Sequence, residues 1–312
     1  MRLLLLTPLL AAAALALPAA ASAADVLVAP DPAAQQLTAL DGTIVWVSGA
    51  FGHQKLVQRT PDGTVAPVKG TREARSYRSI DLGHDSDGAL RLTYLRCDTT
   101  SSCKALWNDL DGRRATFRTL ILPRCAISTA PAWWRTRIAY GLDCTGSAAN
   151  RRRTGLYVKT GSRAPRRLPL PKDAVRFGVD RIESVDLRAT RVAAVAADIF
   201  EYAFSESIDG TGMSSFLAAA SEGDSDERAR GLSLGSGGTQ WTLTNAEHAG
   251  DPRETLVFRL AGDCLRRERI ATPPDADFAA TDLAVDGTTL YLLVPGVGVV
   301  THAFAPAATP SC

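Results

Sequence analysis

A turn followed by a β-rich run recurs six times in this chain, about 49 residues apart. The copies are Asp41-Gly42-Thr43-Ile44-Val45-Trp46, Asp87-Gly88-Ala89-Leu90-Arg91-Leu92, Arg135-Thr136-Arg137-Ile138-Ala139-Tyr140, Ala189-Thr190-Arg191-Val192-Ala193-Ala194, Gly237-Gly238-Thr239-Gln240-Trp241-Thr242 and Asp286-Gly287-Thr288-Thr289-Leu290-Tyr291. Helical periodicity is almost absent, and short apolar runs bounded by Gly, Asp and Pro take its place. Short strands repeating at this period predict an all-β chain, a six-bladed β-propeller with four antiparallel strands per blade. A count of five or seven stays open, because the repeat loses regularity in blades four and five.

Strands a to d run from the axis outward in each predicted blade. Blade six runs out of sequence after three strands, and Asp25-Val26-Leu27-Val28-Ala29 has no partner near blade one. That N-terminal strand is expected to close blade six and hide its edge. In blade four the expected c strand is 214–219, with an outer strand near 227–230. Residues 198–212 are then an insertion between b and c. Its alternating Phe200, Tyr202 and Phe204 either pack down on the blade or form a sticky patch at the channel mouth.

The first residues have the form of a secretory signal. Arg2 is a short positive region, Leu3 to Leu17 is apolar apart from Thr7 and Pro8, and Ala21-Ser22-Ala23 is a small-residue cleavage site. The expected organisation is a signal peptide at 1–23 cleaved after Ala23, a propeller at 24–304 and a tail at 305–312. The chain is expected to be secreted or extracytoplasmic, with no transmembrane segment. A net charge of +2 excludes the charge density that nucleic-acid binding demands.

Six cysteines in an exported chain predict disulfides. Cys97 and Cys103 flank the ends of one hairpin. Cys125 and Cys144 meet at one end of two antiparallel neighbours. Cys264 with Cys312 then ties the tail. No C-x-x-C pair supports zinc, and other pairings stay open.

The stretch Asp81-Leu82-Gly83-His84-Asp85-Ser86-Asp87-Gly88 leads into Leu90 to Tyr94, and Ala130-Pro131-Ala132-Trp133-Trp134 leads into Ile138-Ala139-Tyr140. These segments resemble the blades of TolB-like, WD-type secreted bacterial propellers over roughly residues 25 to 304. The resemblance implies the architecture and carries little about chemistry.

Few motifs point to a reaction. Asp81, Asp85 and Asp87 have part of a calcium-loop spacing, which a plain Asp-Gly turn also explains. His53, His84, His248 and His302 share no metal-binding spacing. Ser233 lies in G-x-S-x-G, but no helix follows to make a nucleophile elbow. Arg151, Arg152 and Arg153 form a basic run in a b–c loop, with Arg163, Arg166 and Arg167 at the other end of the blade. Trp133 and Trp134, like Trp46, Trp107 and Trp241, read as core.

The expectation is therefore a non-enzymatic, monomeric scaffold with no cofactor and no metal. It would present Phe200, Tyr202, Phe204 and Arg151 to Arg153 to a protein or cell-envelope polymer. The d–a and b–c loops form the expected binding face. The alternative is an extracellular carbohydrate-active or other hydrolase with acids converging near the channel.

Overall fold

The computed structural model describes residues 25–99, 102–117, 122–176, 181–197, 200–220, 225–248, 253–272 and 277–304. The expected signal peptide and the tail 305–312 lie outside them. Strand β1 is Val26–Pro30. Next, β2 (Ala34–Leu40), β3 (Thr43–Ser48), β4 (Lys55–Arg59) and β5 (Val65–Pro67) form one antiparallel sheet in chain order. The turn between β2 and β3 holds Asp41 at φ 53° and Gly42 at φ 75°. Both central residues being left-handed is what the twist of a tight hairpin requires, and Asp and Gly adopt it at low cost.

Strands β6 (Ser76–His84), β7 (Leu90–Cys97), β8 (Cys103–Asn108) and β9 (Arg114–Thr116) repeat the pattern. In the next set the inner strand is split into β10 (Cys125–Ile127) and β11 (Ala132–Trp134). Both pair with β12 (Arg137–Cys144), which is followed by β13 (Gly155–Thr160) and β14 (Arg166–Arg167). A short parallel contact between Trp134 and His84 joins these two sets into one nine-stranded sheet. Two short helices, α1 (Ala148–Arg151) and α2 (Lys172–Arg176), sit in connections.

Strands β15 (Arg181–Arg188), β16 (Arg191–Ala197), β17 (Phe200–Ser207) and β18 (Ser214–Ala220) make another four-stranded sheet. So do β19 (Ser225–Leu234), β20 (Gln240–His248), β21 (Glu254–Ala261) and β22 (Cys264–Ile270). The last sheet contains β23 (Asp282–Asp286), β24 (Thr289–Val294) and β25 (Gly298–His302), and β1 completes it against β25. This is a propeller-like array of four-stranded antiparallel units. No helix among the described residues is long and apolar enough to cross a membrane.

The apolar core lies between sheets. One cluster joins Leu40, Val45 and Leu56 to Leu82, Leu92 and Tyr94 across the first two sets. Another joins Leu156 and Val158 to Ile182, Leu187 and Phe204. A third joins Leu37, Ile44 and Trp46 to Ala284, Leu293 and Val299, with Ala29 of the closing strand. Middle strands are buried on both faces, as β3 is throughout, whereas outer strands such as β22 alternate between exposed and half-buried.

Residues 198–212 are not an insertion. Residues 200–207 are the third strand of their sheet, paired with β16 from Arg191–Ser207 to Ala197–Glu201. The segment expected as that third strand, 214–219, is the outer strand β18, and residues 227–230 belong to the inner strand β19 of the next sheet. The turn that ends the third strand is Asp209-Gly210, with Gly210 at φ 87°. Missing the junction before Phe200 displaced every later strand of that unit by one place: the segment expected third is fourth, and the one expected fourth opens the next sheet.

Candidate functional site

The inner strands leave one edge facing the axis, and its backbone groups need partners. Side chains of one set supply them to the next, always in the same rotational sense. Thr38 Oγ1 on β2 accepts from Leu82 N at 3.1 Å. Ser79 Oγ on β6 accepts from Ala130 N at 2.9 Å. Asp186 Oδ2 on β15 accepts from Leu234 N at 2.6 Å, and Ser233 Oγ on β19 accepts from Val285 N at 3.1 Å. Asp282 Oδ2 on β23 accepts from Leu37 N at 2.8 Å and closes the circuit. No bond of this kind joins β11 to β15 among the described residues.

These side chains also line an axial cavity of about 240 Å³, with Gln36, Glu183, Ser184 and Arg230. Asp81 lies here too. Removal from water holds its carboxyl well above the usual range, the charge of Asp186 adds to this, and Arg188 and the N–H groups of Leu82 and Trp133 oppose it. Asp282 is pushed up to about 8 by burial, against the backbone N–H groups of Leu37 and Leu283. Asp81 Oδ2 and Asp186 Oδ1 have no hydrogen-bond partner.

A second space of about 580 Å³ opens where the inner hairpin turns converge. Its rim carries Asp41, Thr190, the glycine-rich turn 235–238 and Asp286. Arg188 lies between the two spaces. It lines this funnel, while its guanidinium reaches Ala39 O at 3.0 Å and lies near Asp186, 3.7 Å away. Strand β2 stands between β6 and β23 in the circuit of inner-strand bonds and β15 passes its bond to β19, so that reach crosses the axis. His84 Nε2 stands 3.1 Å from Asp41, its Nδ1 stands 3.0 Å from Gly88 O, and its ring is edge-on to Trp134. Both ring nitrogens face acceptors. Asp286 Oδ2 accepts from Gly42 N at 2.5 Å and fixes the neighbouring turn.

The funnel therefore offers both charge signs, hydroxyls and exposed backbone. It lies at the end of the inner hairpin turns, opposite the d–a and b–c loops that the sequence reading favoured. Thr38, Asp81, Asp186, Ser233 and Asp282 were missed as a group. The signal was present as a polar residue inside an otherwise apolar inner strand, visible when the repeats are aligned on their turns.

The candidate residues named from sequence are scattered. Tyr202 and Phe204 are buried on β17 and Phe200 is half-buried, so these three belong to a strand and not to a binding loop. Arg151 and Arg152 end α1, exposed, and Arg151 and Arg153 reach the carbonyls of Gly146 and Pro123. Arg166 and Arg167 reach Ile208 O and Thr154 O. Asp85 accepts from Asp87 N and Ala89 N and binds Arg91 at 2.6 Å, while Asp81 points to the axis, so the three acids do not converge. No metal-holding cluster of His, Cys, Asp or Glu occurs among the described residues. Ser233 bonds Val285 and lies on a strand. His53 is exposed beside Glu73, His302 bridges Asp25 and Glu268, and the side chain of His248 lies outside the described ones. Trp133 packs edge-on against Trp107 and Phe117, between two sets. Disulfides join Cys97 to Cys103 and Cys125 to Cys144. Cys264 is also disulfide-bonded, and its expected partner Cys312 lies outside the described residues.

No family model matches this chain, and no curated protein matches it. Solved structures do resemble it. A gluconolactonase from Xanthomonas campestris matches at 13% identity and TM-score 0.54, over 89% of this chain and 89% of that one. The WD40 β-propeller domain of Doa1 matches at 9% identity and TM-score 0.51, over 90% and 97%. A prolyl endopeptidase matches at 12% identity and TM-score 0.46, where 91% of this chain spans 42% of the other. At such identities the likeness defines the fold alone. The chain has a β-propeller fold.

Proposed function

We propose that the chain is an exported, non-catalytic propeller of six blades, one per four-stranded set, whose funnel binds a protein or a cell-envelope polymer. The use of the axial polar groups carries this reading. Thr38, Ser79, Asp186, Ser233 and Asp282 each hold the backbone of a neighbouring set, so the axis is built for cohesion. The cavity of about 240 Å³ below falls short of an ordinary small-molecule site, roughly 300–1,000 Å³, while the funnel at about 580 Å³ falls within that range. Disulfides, with no free cysteine among the described residues, suit an oxidising compartment. The signal motif and the resemblance to TolB-like secreted propellers point the same way.

One observation favours a hydrolase as the second reading. Asp81 and Asp186 interact at the axis, each with an oxygen that makes no hydrogen bond. Two interacting carboxyl groups in one site are a pair that acid–base hydrolysis uses.

Capture from an envelope extract tests the first reading. Thr190 and Asp41 are exposed on the funnel rim, and neither side chain takes part in the axial circuit. Thr190→Trp is expected to lose captured material while melting at the wild-type temperature, and Asp41→Arg, which also gives up the contact with His84 and a left-handed turn residue, to lose it with a lower melting temperature. Undiminished capture by both variants would remove the funnel from consideration. Turnover of a glycoside, ester or peptide substrate that Asp81→Asn abolishes would establish the hydrolase in its place.

A further inference from the structure

A third space, of about 450 Å³, lies between the β19–β22 sheet and the last sheet. Its described lining includes Arg259, Arg266, Trp241, His302 and Phe304, and no carboxylate. It shares Ser236 and Gly287 with the funnel rim, so the two spaces adjoin.

The arginines are directly opposed across β21 and β22. Like charges at such positions destabilise a sheet unless something neutralises them. Neither has an acidic partner among the described residues. Arg259 lies over the Trp241 ring, 5.5 Å from its centroid, and its buried Nε donates to nothing. A buried donor left without a partner is costly, and a ligand's acceptor would relieve it. The carboxylates beside His302, which also lines this space, are already engaged: His302 stands 3.3 Å from Glu268 and 2.7 Å from Asp25. Trp241 and Phe304 meet edge-on with centroids 5.0 Å apart and form an apolar wall, and the Trp241 indole N–H has no partner among the described residues.

This space presents guanidinium donors with no carboxylate in its described lining, beside aromatic rings. Paired guanidinium groups recognise a carboxylate through parallel hydrogen bonds, and an aromatic wall takes the apolar face of a ring. We propose that the cavity between these two sheets binds a sugar unit bearing a carboxylate, a uronic-acid residue of an acidic polysaccharide. The inference deepens the polymer reading of the funnel and rests on it: a chain crossing Ser236 and Gly287 would place its acid group on Arg259 and Arg266.

Calorimetric titration with a tetragalacturonate tests it, with a neutral tetrasaccharide and inorganic sulfate as controls. Saturable binding of the uronate alone is expected. Arg259→Gln and Arg266→Gln relieve the like-charge contact, so they are expected to fold and to weaken binding about tenfold or more. Arg259→Lys keeps the charge, loses the fork and is expected to fall between. No uronate binding, binding indifferent to both glutamine variants, or sulfate binding as tightly would overturn the proposal. Envelope capture that depends on Thr190 while uronate binding is absent would refute this site and leave the funnel reading intact. Uronate binding lost in Arg259→Gln, without envelope capture, would do the reverse.

Discussion

Glu206 shows how far a single side chain can stand against its surroundings. It is fully buried on β17, and neither carboxylate oxygen has a hydrogen-bond partner. Removal from water pushes it up to about 7, Arg166 and Arg191 oppose that, and Asp209 adds to it. The folded state therefore holds a proton that the unfolded chain releases near its ordinary value of 4.5. The stabilisation is complete below that value, declines as pH rises and is gone above about 7. At about 1.4 kcal/mol per unit, the loss is on the order of 3 kcal/mol. Glu206→Gln cannot ionise, so its urea midpoint should vary less between pH 5 and pH 8 than that of the parent. Equal pH dependence in both proteins would show that Glu206 is solvated. At this scale the sequence was legible for apolar positions: Trp46 and Trp241 are core, as strand alternation implied. It was not legible for Asp81 or Glu206, because whether an acid on a strand faces water or the axis depends on which sheet packs against it.

The elements were read well where a turn announces itself and badly where it does not. Asp41-Gly42, Asp62-Gly63 and Asp286-Gly287 each sit between strands of one sheet. Between β16 and β17 there is no Gly or Pro, and the sequence reading ran past the junction to Asp209-Gly210. The closing strand was legible because β1 had no other partner nearby. It pairs from Val26–Thr301 to Pro30–Gly298. Val26 and Leu27 are 62% and 51% exposed, so backbone bonds and the burial of Ala29 hold it more than apolar area does. Deleting residues 25–30 also removes Asp25 from His302. The truncated protein should melt several degrees lower, each kcal/mol counting for roughly 2–4 °C in a domain of this size. An unchanged melting temperature would mean that the closure contributes nothing. The disulfides rank by the loop they close: Cys97–Cys103 spans 6 residues and Cys125–Cys144 spans 19. Replacing the second pair with Ala should cost about 1 kcal/mol more than replacing the first, as denaturant midpoints would show.

At the scale of the molecule, packing joins each set to its neighbours, and no single cluster serves as a centre. The repeat period announced this, because a sheet of four short strands cannot bury both faces alone. The site was less legible, because the funnel and the cavity beside it are assembled from turns up to about 250 residues apart in sequence, which no local pattern encodes. The packing has a measurable consequence. Phe204 lies in the cluster between the β10–β14 and β15–β18 sets, whereas Trp46 lies between the first and last sheets. Phe204→Ala should cost roughly 3–5 kcal/mol. If the array unfolds as one unit, tryptophan fluorescence and circular dichroism should shift together. Two separated transitions would mean that the sets melt independently.

The pairing of β1 with β25 also bears on the order in which the molecule can be made. Val26 precedes its partner Thr301 by most of the chain, so during synthesis the earlier strand waits while every other described strand is produced. Joining ends so distant carries a chain-entropy cost that grows slowly with loop length, and contacts of high sequence separation slow folding. That seam should therefore form late in folding, after neighbouring sheets have already stacked. Pulled from its two ends, the ring should part there first.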